Sequence, residues 1–175
     1  MVYEQKFSIP EGVSIEKGED SCISISGEKG RIDRVFAYPH AKINIASDTV
    51  TVKTDSKRNK DRAVVGTWIS HISNMSKGVK EGFVYKLKIV YTHFPVTVSV
   101  SGSRVNIKNF LGGRGIMSAD IIGDTKVEVK KDDVVVSGIS KEEVGQTAAN
   151  IERACKVKGK DRRVFQDGIY LVNKE

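Results

Sequence analysis

A fourteen-residue stretch occurs twice in this chain and restricts what it can fold into. AKINIASDTVTVKT at 41–54 lies over TKVEVKKDDVVVSG at 125–138 without gaps, at an offset of 84. The apolar positions Ile43/Val127, Ile45/Val129, Val50/Val134 and Val52/Val136 coincide. Polar residues separate them, the period of half-buried strands, and Ser47-Asp48 supplies a hairpin turn in the first copy. A helical pattern follows each copy. Val65, Ile69 and Ile72 fall at i, i+4 and i+7, with Trp68 and Met75 widening the face. Val65-Gly66 aligns with Val144-Gly145 and Ile72 with Ile151, now at an offset of 79. The five-residue difference falls in the strand-to-helix loop, where insertions cost least. A repeated strand–turn–strand–loop–helix unit predicts an α+β chain, a tandem duplication of a small antiparallel-sheet domain packed on one helix. Gly78 and Gly82 end the first helix, which divides the chain into 1–81 and 82–175.

Other segments fit this plan. Ile23 and Ile25 alternate in the first half. In the second, Phe83, Tyr85, Leu87, Ile89 and Tyr91 alternate strictly, with Lys86 and Lys88 on the opposite face. Val96–Val100, Val105–Ile107 and Ile169–Val172 read as strands, and Val134-Val-Val as a central one. Ser140 and Glu143 form a capping box for the second helix. Its buried stripe is Val144, Ala148, Ile151 and Cys155. The matched glycines Gly66 and Gly145 imply close helix-to-sheet approach in both halves.

Charge is unevenly spread. The chain carries a formal +7, of which +3 lies in 156–175. Lys156, Lys158, Lys160, Arg162 and Arg163 face Asp161 alone between 156 and 163, a spacing that suits a polyanionic partner. Phe165 and Tyr170 stand ready to stack nearby. An apolar strand signal follows the run, so it is expected to be an ordered loop. The alternative is a solvated charge run. No segment has the length and apolarity of a membrane span or the pattern of a signal peptide, and the expected location is cytoplasmic.

Signals for catalysis are weak. His40, His71 and His93 are isolated and lack metal-ligand spacing. No GxSxG elbow or Walker loop occurs. Asp132-Asp133 and Glu142-Glu143 read as a turn and a helix cap. Cys22 and Cys155 read as reduced core thiols, with a disulfide left open. No metal, cofactor or enzymatic activity is expected. Leu111-Gly-Gly-Arg-Gly is the exception, since its amides could cradle a phosphate. A flexible hairpin loop is the plainer reading, with Arg114 as a secondary contact.

The ending VGQTAANIERACKVKGKDRRVFQDGIYLV closely resembles the C-terminal signature of the large-subunit ribosomal protein L-six family in its archaeal and eukaryotic form. Ile9-Pro-Glu-Gly-Val, Ile72-Ser-Asn-Met-Ser-Lys-Gly-Val-Lys-Glu-Gly-Phe and Tyr91-Thr-His-Phe-Pro-Val extend the resemblance over the whole chain. Bacterial members end differently, so contacts of that branch do not carry onto 156–170. The resemblance implies a structural constituent of the large subunit that binds large-subunit rRNA near the sarcin–ricin loop and the stalk base. It also implies neighbouring ribosomal proteins there and translational GTPase factors nearby. The RNA-facing set would be the tail residues Lys156, Lys158, Lys160, Arg162, Arg163, Tyr170 and Lys174, with Arg104, Lys108, Arg114 and His93 from nearby loops. Two rivals remain open: a non-ribosomal RNA-binding factor, and an enzyme holding a phosphorylated ligand at the 111–115 loop.

Overall fold

A computed structural model describes residues 3–18, 21–46, 49–161 and 163–174. The chain forms two compact units, Met1–Gly82 and Phe83–Glu175. The first contains β1 (Tyr3–Ser8), β2 (Ser14–Lys17), β3 (Cys22–Gly27), β4 (Gly30–Val35), β5 (Ala41–Ile45), β6 (Thr49–Thr54) and α1 (Asn59–Lys80). The second repeats that order with β7 (Phe83–Val90), β8 (Thr97–Ser101), β9 (Arg104–Lys108), β10 (Met117–Asp120), β11 (Lys126–Lys130), β12 (Asp133–Gly138) and α2 (Lys141–Ala154), then adds β13 (Gly168–Lys174).

Every sheet is antiparallel. The strand orders are β1-β6-β5 and β2-β3-β4 in the first unit, β11-β12-β7-β13 and β10-β9-β8 in the second. The duplication read from 41–54 and 125–138 therefore extends to six strands and a helix, and the α+β reading holds. Its register is identical in both copies: Lys42↔Lys53 and Ile43↔Val52 recur as Lys126↔Ser137 and Val127↔Val136. The Ser47-Asp48 turn lies outside the described residues, but Ala46 N–H donates to Thr49 O at 2.9 Å across it.

The helices also agree residue by residue. Val65, Ile72 and Ser76 of α1 are buried, as are Val144, Ile151 and Cys155 at the shifted positions. Trp68 packs edge-on against Phe36, ring centroids 5.4 Å apart. α1 runs through Gly78 to Lys80 and stops where Gly82 takes a left-handed φ of 74°. On α2, Ser140 Oγ accepts from Glu143 N–H at 3.4 Å, one half of the predicted capping box.

The glycine inference needs correction. A Cβ on Gly66 would lie 3.9 Å from Gln5 Oε1, and one on Gly145 3.8 Å from Tyr85 Cε2, both ordinary contacts. Close approach occurs instead at strand ends. An added Cβ would fall 2.9 Å from Val79 O at Gly27 and 2.9 Å from Val144 Cγ2 at Gly138. Gly145→Ala should therefore stabilise the protein by about 0.5–1 kcal/mol, the helix-interior penalty of glycine. Urea unfolding checks this, and a loss of stability would show that the Tyr85 ring cannot accept the methyl group.

A buried acid marks the start of α1. Hydrogen bonds from Ser56 and then Tyr38 hold the Asp61 carboxyl below the usual range. The Tyr38 hydroxyl donates at 2.5 Å. A carboxyl lowered in the fold favours folding fully above its unfolded value of about 4, and this contribution is lost as pH falls through the lowered value. Tyr38→Phe is expected to be less stable than the parent at about pH 7 and to approach it near about pH 2. Urea midpoints at both values decide; an unchanged gap would remove Asp61 from the explanation.

Candidate nucleic-acid interface

The basic segment begins where α2 stops, at Cys155. That thiol is buried and pushed up to about 12 by burial, so it is an inert packing group. Both cysteines are free. Val157 is buried and pins the first part of the segment to the core, while Lys156 and Lys158 on either side face solvent. Gly159 takes φ 67°, turning the chain. Asp161 O then accepts from Val164 N–H at 3.1 Å and Phe165 N–H at 2.9 Å, closing a tight loop.

The far end is fixed by buried Asp167, whose Oδ1 accepts from Thr92 Oγ1 at 3.0 Å. Gly168 then starts β13. A Cβ there would fall 2.8 Å from Tyr170 Cζ, so glycine is what lets the tyrosine ring lie along the strand. The Tyr170 hydroxyl donates to Gln166 O at 3.1 Å, and the residue remains 39% exposed. An aromatic held at two points with open surface is a preformed stacking platform.

Two further loops join this end of the unit. Asn109 Nδ2 donates to Pro95 O at 3.0 Å, and a Cβ on Gly112 would touch the Phe94 ring at 3.3 Å. The loop after β9 is held by Asn109 and Leu111, both left-handed at φ 60° and 52°, with buried Phe110 between them. Such strain persists only where surrounding contacts over-determine it. Through Thr92, Phe94 and Pro95, the 91–96 loop links the tail to the 109–116 loop. His93, Lys108 and Arg114 are exposed on these linked segments.

The tail cations are not equivalent. Arg163 Nη2 lies 3.0 Å and Nε 3.2 Å from the Asp161 carboxylate, which is held below its usual range by that guanidinium. Arg163 is thus partly offset by a carboxylate two residues away, in a pair that stays open to solvent. Lys160 Nζ stands 4.5 Å over the Phe165 ring. Among the described residues no carboxylate pairs with Lys156 or Lys158. Arg162 lies outside the described residues.

Two predicted contacts sit apart from this cluster. Arg104 is at the opposite end of β9 from Lys108 and pairs with Asp120 at 2.9 Å. Lys174 ends β13 opposite Tyr85, with its Nζ 5.8 Å over that ring. The positioning residues Thr92, Asn109 and Asp167 were not among the sequence candidates; the Asp167-Gly168 pair was their only local signal. The glycine loop is a hairpin tip, with Gly113, Arg114, Gly115 and Ile116 all exposed between antiparallel neighbours β9 and β10. Among the described residues, no group of three or more His, Cys, Asp or Glu could hold a metal ion, and no helix is long and apolar enough to cross a membrane.

Fold and site together define a tandem α+β protein whose second unit gathers cationic loops and held aromatics at one end. The chain belongs to the ribosomal protein L6 family, whose profile it matches over 9–82 and 94–168, one span in each unit. It is 47% identical to large ribosomal subunit protein uL6 of Methanobrevibacter smithii over 171 residues, covering 98% of this chain and 96% of the relative. The uL6 of Methanosphaera stadtmanae is 59% identical over 140 residues, 78% of this chain and 76% of its own. That of Thermoplasma acidophilum is 46% identical over 171 residues, 97% and 95%. These relatives are named as proteins of the large ribosomal subunit.

Proposed function

We propose that this chain is a structural constituent of the large ribosomal subunit and binds its RNA through the second unit. The site meant is near the sarcin–ricin loop and the stalk base, beside neighbouring ribosomal proteins and the landing site of translational GTPases. The observation that carries this reading is the anchored loop 156–166. It carries exposed Lys156, Lys158 and Lys160 between buried Val157 and buried Asp167, and the 91–96 loop that bonds to Asp167 also carries His93. Folded RNA is recognised largely by shape and phosphate position, so cations on a rigid scaffold suffice without base-reading motifs.

Salt separates this reading from a factor that only visits the ribosome. If three to four cations each neutralise a phosphate, the log affinity for a large-subunit RNA fragment falls against log salt with a slope of about −3. The chain should also remain with large subunits through a high-salt wash, and lysines of 156–160 should crosslink to RNA near the sarcin–ricin loop. Release by the wash, or crosslinks to distant RNA, would overturn the placement.

A further inference from the structure

The same sheet edge is built twice in this chain and, among the described residues, is paired with a further strand once. β1 is the outermost strand of β1-β6-β5, whereas its counterpart β7 has a neighbour on both sides. Register makes the two strands equivalent. Shifts of 80 along β1 and 84 along β6 carry Tyr3↔Thr54 onto Phe83↔Gly138 and Ser8↔Thr49 onto Lys88↔Asp133. In the second unit β13 fills the remaining edge, antiparallel, with Ile169 opposite Ile89 and Leu171 opposite Leu87.

Burial records the difference. Tyr85 and Leu87 are 7% and 1% exposed, while Gln5 and Phe7 at the shifted positions are only half-buried. An edge strand presents a row of unpaired N–H and C=O groups, and folds usually blunt it with exposed charges, a bulge, a proline or an inward-pointing charge. β1 carries only the first of these, the mutually paired Glu4 and Lys6. Its pairing runs without interruption over six residues, and Pro10 lies beyond its end. Its inward residues Tyr3, Gln5 and Phe7 are uncharged. Glu4 and Lys6, on the other face, lie 3.6 Å apart and offset each other. RNA fits this edge poorly, because the strand's own residues Tyr3–Ser8 carry no net charge and the nearby Arg62 guanidinium stands over the Tyr3 ring, 5.6 Å from its centroid.

We infer that β1 accepts an extended segment of a neighbouring protein, paired antiparallel and placing apolar side chains at alternate positions over Phe7. β13 is the template for that occupant: main-chain bonds supply affinity, and alternate side chains supply selectivity. This inference rests on the large-subunit assignment proposed above.

The test replaces Phe7 with the photoreactive analogue p-benzoylphenylalanine in the full chain and irradiates salt-washed large subunits. The expected product is a crosslink to one segment of one protein, with apolar residues at alternate positions. Hydrogen exchange on unsubstituted subunits provides a second reading. About half of the amides in residues 3–8 should exchange at least tenfold more slowly than in the free chain. A chain that sediments with large subunits yet crosslinks to RNA, to a second copy or to nothing overturns the inference alone. So does continued fast exchange of the β1 amides. A chain that fails to sediment with large subunits overturns both the function and this partner.

Discussion

Charge reversal at Lys156 and Lys158 together is expected to weaken binding to a large-subunit RNA fragment by at least about tenfold, or about 1.4 kcal/mol. Each substitution removes a cation that no described carboxylate neutralises and places an anion in the same field. Both side chains are exposed on either side of buried Val157, so the scaffold should stay intact. Surface changes of this kind usually alter stability by less than about 0.5 kcal/mol. Arg163→Ala is the contrasting variant. Its guanidinium is already held by Asp161, so its loss should matter less than either lysine. Filter binding at fixed salt, with urea midpoints measured alongside, gives the comparison. Unchanged affinity in the double variant would remove the tail from the interface, and a larger effect at Arg163 would show that RNA displaces Asp161.

What could be read beforehand follows from where the information lies. The 41–54 and 125–138 copies were legible because their inward positions are β-branched and strictly alternate. β1, β4 and β10 were not legible. Gln5 faces inward in the first, charged residues alternate with Ile32 in the second, and Ala119 is the only buried residue of the third. Period-2 hydrophobicity marks a strand only when its covered face is apolar. The tail was located by charge density, but its internal pairing was not. Arg163 and Asp161 are two residues apart, a separation that fixes no contact until the turn on Asp161 closes. Thr92 and Asp167 are separated by 75 positions, and only the pairing of β7 with β13 brings them together. The glycines misled for a related reason. Their matched positions reflect shared ancestry of the two units, whereas close packing falls at Gly27 and Gly138, which do not correspond.

Ile169→Ala is expected to destabilise the protein by about 2–5 kcal/mol, the largest single loss among these variants. Ile169 is 1% exposed, pairs with Ile89 on β7 and belongs to the core that includes Leu87, Ile151 and Val157. Truncation removes three buried carbons and leaves a cavity that close-packed neighbours fill only partly. The position also matters for the interface. Ile169 seats the strand that follows Asp167, and Asp167 is the far anchor of the basic loop. Loosening β13 should widen the conformations of 158–166 with every cation still present. The affinity for RNA should then fall through lost preorganisation, not lost charge. The salt slope tells these apart: it should stay near the parent value in Ile169→Ala and become shallower in the lysine variant. Val172→Ala, on the same strand but 69% exposed, should change neither stability nor binding appreciably. A loss below about 1 kcal/mol in Ile169→Ala would show that β13 is dispensable to the core, and the loop would then need another anchor to hold its path.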